Sequence, residues 1–509
     1  MSGGNYQRSV FRQLEETIQR LDRMEKQHEA DTWRLEQEHA REAEAVKASL
    51  NEKIEGLQAK VTEQAKRIEH LEQENQLLRD DNDRLKSILN QDSNNSSQPP
   101  SSDQKGKRAN QYNNREKSGK RKGGQQGHEG KTLTKKAVEE GIAQGLYELR
   151  VVEHGVPLAS NAAPVIKLVV DLRIVPCVTE HRFYPGKDGY PEIPAELQSD
   201  VTYGKTIRGM AVYLYSVGVV ANERIRDFLR DISSGTLQPS GGTVYRWNRD
   251  FARRIGCDLK HIREELLSEQ VLHTDATCVT VNGTQTYIRS LSAQDSVLYT
   301  HTEKKSLDSL KAMPVLPLFA GTLVHDHETA LYHFGTNHGE CNVHLLRYLT
   351  KNTQDTGHTW SQEMQDFLRG ILHERKQRIL GSTTFSRAET GSYEAAYDSL
   401  IDKGHAQNED FKPRWAAREE RSLLRRLAKH KREHLLFLHD FRVPFDNNQS
   451  ERDLRKCKSR QKMAGGFRCN AGAQMYCDIL SFIETCKRRS ILPFKAILMA
   501  LDDQRVLSS

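Results

Sequence analysis

The chain lacks the features that mark secreted, membrane-spanning and disulfide-stabilised proteins. Its eight cysteines include no Cys-x-x-Cys pair, and their number and spacing in 509 residues do not suit a disulfide framework, so a reducing compartment is expected. No apolar stretch approaches the roughly 20 residues that a membrane span needs. The polar N-terminus is unlike a signal peptide. These absences predict a soluble cytoplasmic protein without a membrane partner.

Glycine and proline are almost absent from residues 10–90, which are dense in Glu, Lys, Arg, Gln and Leu. From residue 54 an uninterrupted heptad has Ile54, Val61, Ile68, Asn75, Asn82 and Leu89 at its a positions and Leu57, Gln64, Leu71, Leu78 and Leu85 at its d positions. This seam predicts a coiled coil that makes the chain a homo-oligomer, and Asn at a favours a parallel two-stranded one. The alternative is a long solvated helix packed against its own protein.

Apolar residues are also scarce, because only 36% of the chain is hydrophobic and the mean hydropathy is −0.73. Residues 91–131 are polar and proline-bearing, then basic and glycine-rich, which predicts a flexible linker. Its basic run, Lys120, Arg121 and Lys122, is a candidate contact to a DNA backbone. Short alternating apolar runs predict a small β-rich module at residues 132–203.

The net charge of +7 is modest, but the basic residues are unevenly distributed. Lys and Arg outnumber acids nine to two in residues 104–131, nine to four in residues 411–440 and seven to one in residues 452–468. Such blocks favour a polyanion partner, since neutralised phosphates release counterions and so drive binding. Ordinary solvated surface is the alternative for any single block.

Residues 204–265 follow a helical pattern that is interrupted by a turn containing glycine, Ser233–Ser240. The helix that follows the turn carries Arg246 and Arg249. A helix, a turn and a second basic helix predict a helix-turn-helix-like DNA-binding region. A helical hairpin that only packs against the rest of the protein fits the same pattern.

Three acidic residues far apart in the sequence are the candidate catalytic groups. Asp275 lies inside an apolar strand-like run and Asp326 ends another. The order of elements is predicted as strands at 271–281, 285–292 and 296–302, a helix at about 305–313 and a strand at 321–326. Antiparallel strands, a crossover helix and a strand beside the first predict a ribonuclease-H-like core at residues 270–460, in which Asp275 and Asp326 lie on adjacent strands.

The third acidic residue, Glu451, is predicted at the start of a helix, after a helical insertion at about 345–440. Asp446, Asn447 or Ser450 would cap this helix, and the helix dipole favours a carboxylate in its first turn. Three converging carboxylates form an all-oxygen site suited to two Mg²⁺ or Mn²⁺ ions. Further candidate phosphate contacts are Arg452, Arg455, Lys458 and Arg468. Residues 461–509 are predicted as C-terminal helices.

Cys341 and His344 have the spacing of half a zinc site, but no second pair lies at suitable spacing. His344 would instead contact a DNA phosphate, orient a carboxylate or simply be a satisfied core histidine. The chain has no GxxxxGK[ST] pattern, which excludes a nucleotide-binding loop of that kind.

Several of these segments resemble the insertion-sequence-sixty-six family of bacterial DDE transposases. The stretches that carry the resemblance are Asn95–Asp103, Gly123–Gly130, His273–Thr277, Cys341–His344 and Asp446–Arg455, the last of which follows the family pattern D-N-N-x-x-E-R-x-L-R. The resemblance implies a multidomain α+β transposase that acts on terminal inverted repeats and target DNA, with or without accessory proteins, in the bacterial nucleoid. It also implies that Asp275, Asp326 and Glu451 are catalytic metal ligands.

The chain departs from the family in two places. Many members carry a cysteine-rich zinc module after the glycine-rich linker. Residues 131–200 of this chain contain a single cysteine, Cys177, so no zinc site is expected there. The residues after Asp326 differ from the usual pattern, which leaves Asp308 and Glu328 as alternatives for the second acid. A catalytically inactive DNA-binding regulator and a structure-specific nuclease are the competing functions.

Overall fold

A computed structural model describes residues 4–92, 95–96, 133–152, 154, 165–172, 174–184, 191–194, 197–409, 411 and 414–507. The chain divides into two units, residues 1–90 and residues 91–509, apart from a short segment at 412–415. No helix within the described ranges is long and apolar enough to cross a membrane. Lys120, Arg121 and Lys122 lie outside the described residues, as does most of the predicted linker.

The first unit is one helix, α1 (Gly4–Leu89), of 86 residues. At 1.5 Å per residue it extends for about 130 Å. The apolar side chains of the predicted heptad seam are 46–71% exposed along it, and they are Ile54, Leu57, Val61, Ile68, Leu71, Leu78, Leu85 and Leu89. A single chain therefore leaves the whole seam accessible to a partner.

The second unit begins, among the described residues, with helix α2 (Lys135–Ala143), which the Thr134 side chain caps. The described residues from 133 to 203 contain this helix and no strand, so the predicted β-rich module is not seen among them. The rest of that range lies outside the described residues, and the prediction of a β-rich module stays a prediction.

Four helices follow, in the region predicted to be helical: α3 (Lys205–Ser216), α4 (Asn222–Ile232), α5 (Gly241–Arg254) and α6 (Gly256–Ser268). The predicted turn joins α4 to α5, with Gly235 at φ +84°, a backbone conformation that glycine adopts without steric cost. Ser240 caps α5 by accepting a hydrogen bond from the Thr243 amide. Val212, Ile225 and Val244 bring α3, α4 and α5 into one buried core.

A five-stranded mixed sheet forms the centre of the second unit. The first four strands are β1 (Val271–Val281), β2 (Thr284–Ser292), β3 (Val297–Thr302) and β4 (Thr322–His325), with the short helix α7 (Leu307–Lys311) between β3 and β4. The strand order is β3-β2-β1-β4-β5, where β1, β2 and β3 are antiparallel and β4 and β5 run parallel to β1. The predicted strands agree with these bounds to within a residue or so, and the strand order beside β1 is confirmed.

The edge strand β5 (Asn337–Glu340) leads into a helical insertion. Its helices are α8 (Asn342–Thr356), α9 (Thr359–Arg378), α10 (Arg387–Asn408), α11 (Arg414–Lys429) and α12 (Lys431–His439). The insertion has its own apolar core, in which Leu345, Trp360, Tyr397 and Leu424 are fully buried.

The chain then returns to the sheet through α13 (Asn448–Met463), and α14 (Asn470–Arg488) and α15 (Pro493–Leu501) complete the fold. Helix α13 runs alongside β1, since Asn447 bonds to the Thr274 carbonyl at one end and Gln461 bonds to Thr280 at the other. Helix α14 packs on β3, where the Ser481 hydroxyl accepts a hydrogen bond from the Tyr299 amide. The fold thus anchors the segment around residue 451 to the strand that carries Asp275.

Candidate active site

Asp275 lies within β1, and Asp326 directly follows the neighbouring parallel strand β4. β1 and β4 pair His273 with Val324, and each aspartate is two residues further along its strand direction. Burial and the negative charge of Asp326 together raise the pKa of Asp275 to about 6. The negative charge of Asp326 thus acts on Asp275, as it does when two carboxylates lie near one another.

Two side chains hold Asp326. The Asn447 amide donates to its Oδ1 at 3.2 Å, and the His344 Nδ1 lies 3.5 Å from the same oxygen. Burial alone would raise the pKa of Asp326, but these two neighbours outweigh it and lower the pKa below its usual value. Asp326 is therefore held as the anion beside Asp275.

Glu451 lies in the first turn of α13, as predicted, on the other side of His344. The His344 Nε2 lies 4.0 Å from Glu451 Oε1 while its Nδ1 faces Asp326. His344 is 8% exposed and also accepts from Arg347 at 3.2 Å. Of the roles predicted for His344, contact with a carboxylate is the one its position supports, since its ring nitrogens face Asp326 and Glu451 in a buried setting.

Asn447, predicted from the sequence only as a helix cap, connects β1 to Asp326. It is the N-cap residue of α13, yet its side chain makes no cap hydrogen bond with any described residue. Its amide instead donates to the Thr274 carbonyl at 2.9 Å and to Asp326, and its Oδ1 lies 3.1 Å from His273 Nδ1. The backbone amide of Asn447 donates to Cys341 Sγ at 3.2 Å. The motif Asp446-Asn447-Asn448, shortly before Glu451, is the sequence feature that draws attention to this residue.

The alternative second acids occupy other positions. Glu328 accepts two hydrogen bonds of 2.7 Å from the guanidinium of Arg289, a fully buried residue of β2. Asp308 is exposed on the short helix α7. Of the three candidates, Asp326 is the one whose charge acts on Asp275, and its role as the second acid stays a prediction.

Three basic residues of α13 lie on its exposed side. Arg452, Arg455 and Lys458 are exposed, whereas Leu454 and Cys457 are buried against the sheet. Arg455 and Lys458 follow Glu451 at i+4 and i+7, so the row extends about 10 Å from the carboxylate along the helix. Neither residue has an ion-pair partner in the part of the chain that the structure describes.

The other predicted DNA contacts lie elsewhere in the second unit. Arg468 is exposed and follows Phe467, which bridges to Val281 at the far end of β1. Arg246 is exposed on α5 and bonds only locally, to Thr243 at 3.3 Å. Arg249 is partly buried and forms an ion pair of 3.5 Å with Asp250. Within the described residues, no hydrogen bond or ion pair joins any of these three residues to the three carboxylates.

Two known protein families match most of the chain. Residues 202–475 match the Transposase IS66 family, a span that includes α3 to α13, the whole sheet and all three carboxylates. Residues 34–134 match a family of unknown function, DUF6444, which covers much of α1 and the linker. No curated protein and no solved structure matches the chain. Because the first match spans more than half of the 509 residues, the chain belongs to the IS66 transposase family.

Proposed function

We propose that this chain is a DDE transposase that binds the terminal inverted repeats of its element, cuts the DNA at the element's end and joins that end to target DNA. The observation that carries the proposal is the placement of Asp275 in β1 and of Asp326 directly after the paired strand β4, with the His344 ring between Asp326 and Glu451. A central sheet of order β3-β2-β1-β4-β5 suits a ribonuclease-H-like core. Asp275, Asp326 and Glu451 would be its catalytic residues.

The three carboxylates would supply the oxygen ligands of two Mg²⁺ or Mn²⁺ ions. The raised pKa of Asp275 reflects its burial and its repulsion by Asp326, and a hard divalent cation would offset both effects. Asp275, Asp326 and Glu451 would hold the ions through oxygen atoms alone, the ligand type that these cations prefer. When bound, such an ion pair supplies an activated oxygen nucleophile and stabilises the leaving oxygen of a phosphodiester.

The protein's own side chains prepare this site. His344 and Asn447 hold Asp326 as an anion in a fixed position. Arg455 and Lys458 would bind phosphates that flank the reacting bond, because they continue from Glu451 on the exposed side of α13. One helix would therefore carry both a catalytic residue and the residues that bind the DNA backbone, and the DNA would lie along α13.

Recognition of the terminal repeats would use the α4-turn-α5 segment. Arg246 is exposed on α5, the second helix of the pair, which is the helix that reads bases in helix-turn-helix proteins. Arg249 would first have to leave its ion pair with Asp250. Arg468 and the basic linker with Lys120, Arg121 and Lys122 would add sequence-independent affinity.

Helix α1 would join two chains in a parallel coiled coil. Its exposed apolar seam is much longer than monomeric proteins leave uncovered, and Asn75 and Asn82 at a positions would fix the register of the pair. A homodimer of this kind would handle two transposon ends together.

The test is cleavage and strand transfer on a labelled duplex that carries the element's end, in Mg²⁺ or Mn²⁺. Asp275→Asn, Asp326→Asn and Glu451→Gln are each expected to abolish both reactions while DNA binding is retained. Asp308→Asn is the matched control, because this acid is exposed and lies outside the carboxylate group. Glu328→Gln tests the remaining alternative.

The outcomes separate the competing functions. Binding without chemistry in the wild-type protein, even when the element's other proteins are added, would identify a regulator. Cleavage without joining would identify a nuclease. Activity that survives in Asp326→Asn but not in Glu328→Gln would mean that Glu328 is the second metal ligand.

A further inference from the structure

A second cluster of ionisable side chains lies next to the carboxylate site but shares no residue with it. His327 follows Asp326, Glu340 ends β5, and His430 lies between α11 and α12. One nitrogen or oxygen from each of the three residues lies within 4.8 Å of the other two. Nothing in the proposed DNA chemistry uses these groups.

We propose that His327, Glu340 and His430 form a binding site for one Zn²⁺ ion, which fastens the helical insertion to the end of the central sheet. Two imidazoles and one carboxylate are a ligand set that Zn²⁺ accepts, with a fourth position for water. The mixture of nitrogen and oxygen ligands disfavours Mg²⁺, which selects oxygen. The site therefore differs in metal preference from the all-oxygen site at Asp275.

The three candidate ligands are already close to a coordinating arrangement. The His327 Nδ1 bonds directly to Glu340 Oε1, and the rings of His327 and His430 meet edge to face at 4.8 Å between centroids. Ligand atoms around a tetrahedral Zn²⁺ lie about 3.3 Å apart, so small side-chain rotations would close the cluster. His327 has φ +58°, an uncommon conformation for a residue with a side chain.

The carboxylate has the supporting contacts that metal ligands usually have. Glu340 Oε2 accepts from His434 Nε2 at 3.1 Å and from Arg426 at 3.3 Å, while Oε1 faces His327 and accepts from the Tyr332 hydroxyl. His434 is fully buried and its Nδ1 lies 3.1 Å from the Tyr397 hydroxyl, which fixes its ring. Such outer contacts orient a ligand and raise metal affinity.

The cluster is partly open to solvent, as a site that exchanges its ion must be. The Glu340 side chain is only 2% exposed, whereas those of His327 and His430 are 20% and 11% exposed. An ion could enter from the histidine side while the carboxylate stays enclosed. Since the ligands come from the ends of β4 and β5 and from the α11–α12 junction, binding would cross-link the insertion to the sheet.

The experiment measures retained Zn²⁺ by elemental analysis, and bound Co²⁺ by its visible absorption, in purified full-length protein after gel filtration. One equivalent per chain is expected in the wild-type protein and in Asp275→Asn, which isolates this site from the carboxylate site. His327→Ala and His430→Ala are expected to lose the ion, and His434→Gln to bind it about 10–100-fold more weakly. Zn²⁺ should raise the Tm of the wild-type protein and not that of His430→Ala.

His439→Ala is the matched control, because His439 lies on α12 but its side chain is 43% exposed and pairs with Glu394. It should retain the ion. Absence of retained Zn²⁺ in the wild-type protein would overturn the proposal and leave the cluster as a hydrogen-bonded network around Glu340. Equal retention in the His327→Ala and His430→Ala variants would overturn it as well. Neither result depends on transposase activity, so the two proposals fail separately.

Discussion

Asn447 shows how one residue connects four segments around the candidate active site. Its side chain contacts Thr274 and His273 of β1 and Asp326 after β4, and its backbone amide contacts Cys341 before α8. The residue is fully buried, so no water substitutes for a lost contact. Replacing the side-chain amide of Asn447 is therefore expected to shift the nearby carboxylates while the protein still folds.

Asn447→Asp is expected to reduce DNA cleavage by at least about 100-fold, because it removes both amide donors and sets a third negative charge beside Asp326. Cleavage rates and DNA affinity would be measured together, with Asn448→Asp as the control on the adjacent, partly exposed residue. A variant that cleaves at the wild-type rate would show that Asn447 does not position Asp326.

Much of the candidate site could be predicted at the residue scale from local sequence alone. Asp275 and Asp326 are identifiable because a carboxylate in an apolar strand needs a cation or donors, and Glu451 because of its motif at a helix start. For the partners of these acids, the sequence leaves the role of His344 open among three possibilities and predicts Asn447 only as a helix cap. His344 and Asn447 reach Asp326 only after β5, α8 and α13 have been assembled, and no spacing in the sequence encodes that assembly.

At the scale of elements, α13 combines a metal-ligand position with an exposed basic row. The double variant Arg455→Ala/Lys458→Ala is expected to weaken DNA binding and to reduce the slope of log affinity against log salt by about 2, since each phosphate contact contributes about 0.9. Binding isotherms at several salt concentrations would measure this slope. The control is Lys260→Ala/Lys311→Ala, which removes equal charge from α6 and α7. An unchanged slope would exclude α13 from the DNA interface.

The helical insertion is stabilised by a carboxylate that no solvent reaches. Glu420 of α11 accepts hydrogen bonds from the Trp360 indole at 2.6 Å, from Asn352 at 2.9 Å and from Asn408 at 2.7 Å. Burial would raise the pKa of Glu420, but these bonds and one from His358 outweigh it and lower the pKa. The ionised carboxylate thus holds α8, α9 and α10 against α11.

Glu420→Gln is expected to lower the free energy of unfolding of the insertion by about 2 kcal/mol at pH 7. The NH₂ group of the new glutamine is a hydrogen-bond donor, and it would face side chains that also donate. Since the folded pKa lies below the unfolded value of about 4.3, the wild-type stability is complete above that pH and declines as the pH falls through the folded pKa. Urea titrations across pH 3–7 should therefore converge for the two proteins at low pH. Glu419→Gln, an exposed neighbour, should match the wild-type protein throughout.

The strand β5 shows why part of the fold could not be predicted. Asn337, His338, Gly339 and Glu340 include no apolar side chain, so the alternation that reveals β1 is missing. The segment becomes a strand because β4 offers it an unpaired edge, with Thr322 opposite Asn337 and His325 opposite Glu340. Tertiary pairing, and not local preference, forms this strand.

At the scale of the whole molecule, the seam of α1 predicts the oligomeric state. Leu71→Arg/Leu78→Arg places two charges at d positions and is expected to convert a dimer to a monomer, as measured by sedimentation equilibrium. The matched control is Gln73→Arg/Asp80→Arg, which adds the same side chains at f positions outside the seam. Wild-type protein that sediments as a monomer would exclude the coiled coil.

The contacts of α12 also restrict how the length of this protein can change during evolution. His434 meets Glu340 only if it faces the sheet, and deleting one residue earlier in α12 would turn it by about 100° around the helix axis. The loop between α9 and α10 is largely exposed, and the core of the insertion does not depend on most of its residues. Relatives of this chain should therefore differ in length at residues 379–382 and keep a constant number of residues between Arg426 and Glu451.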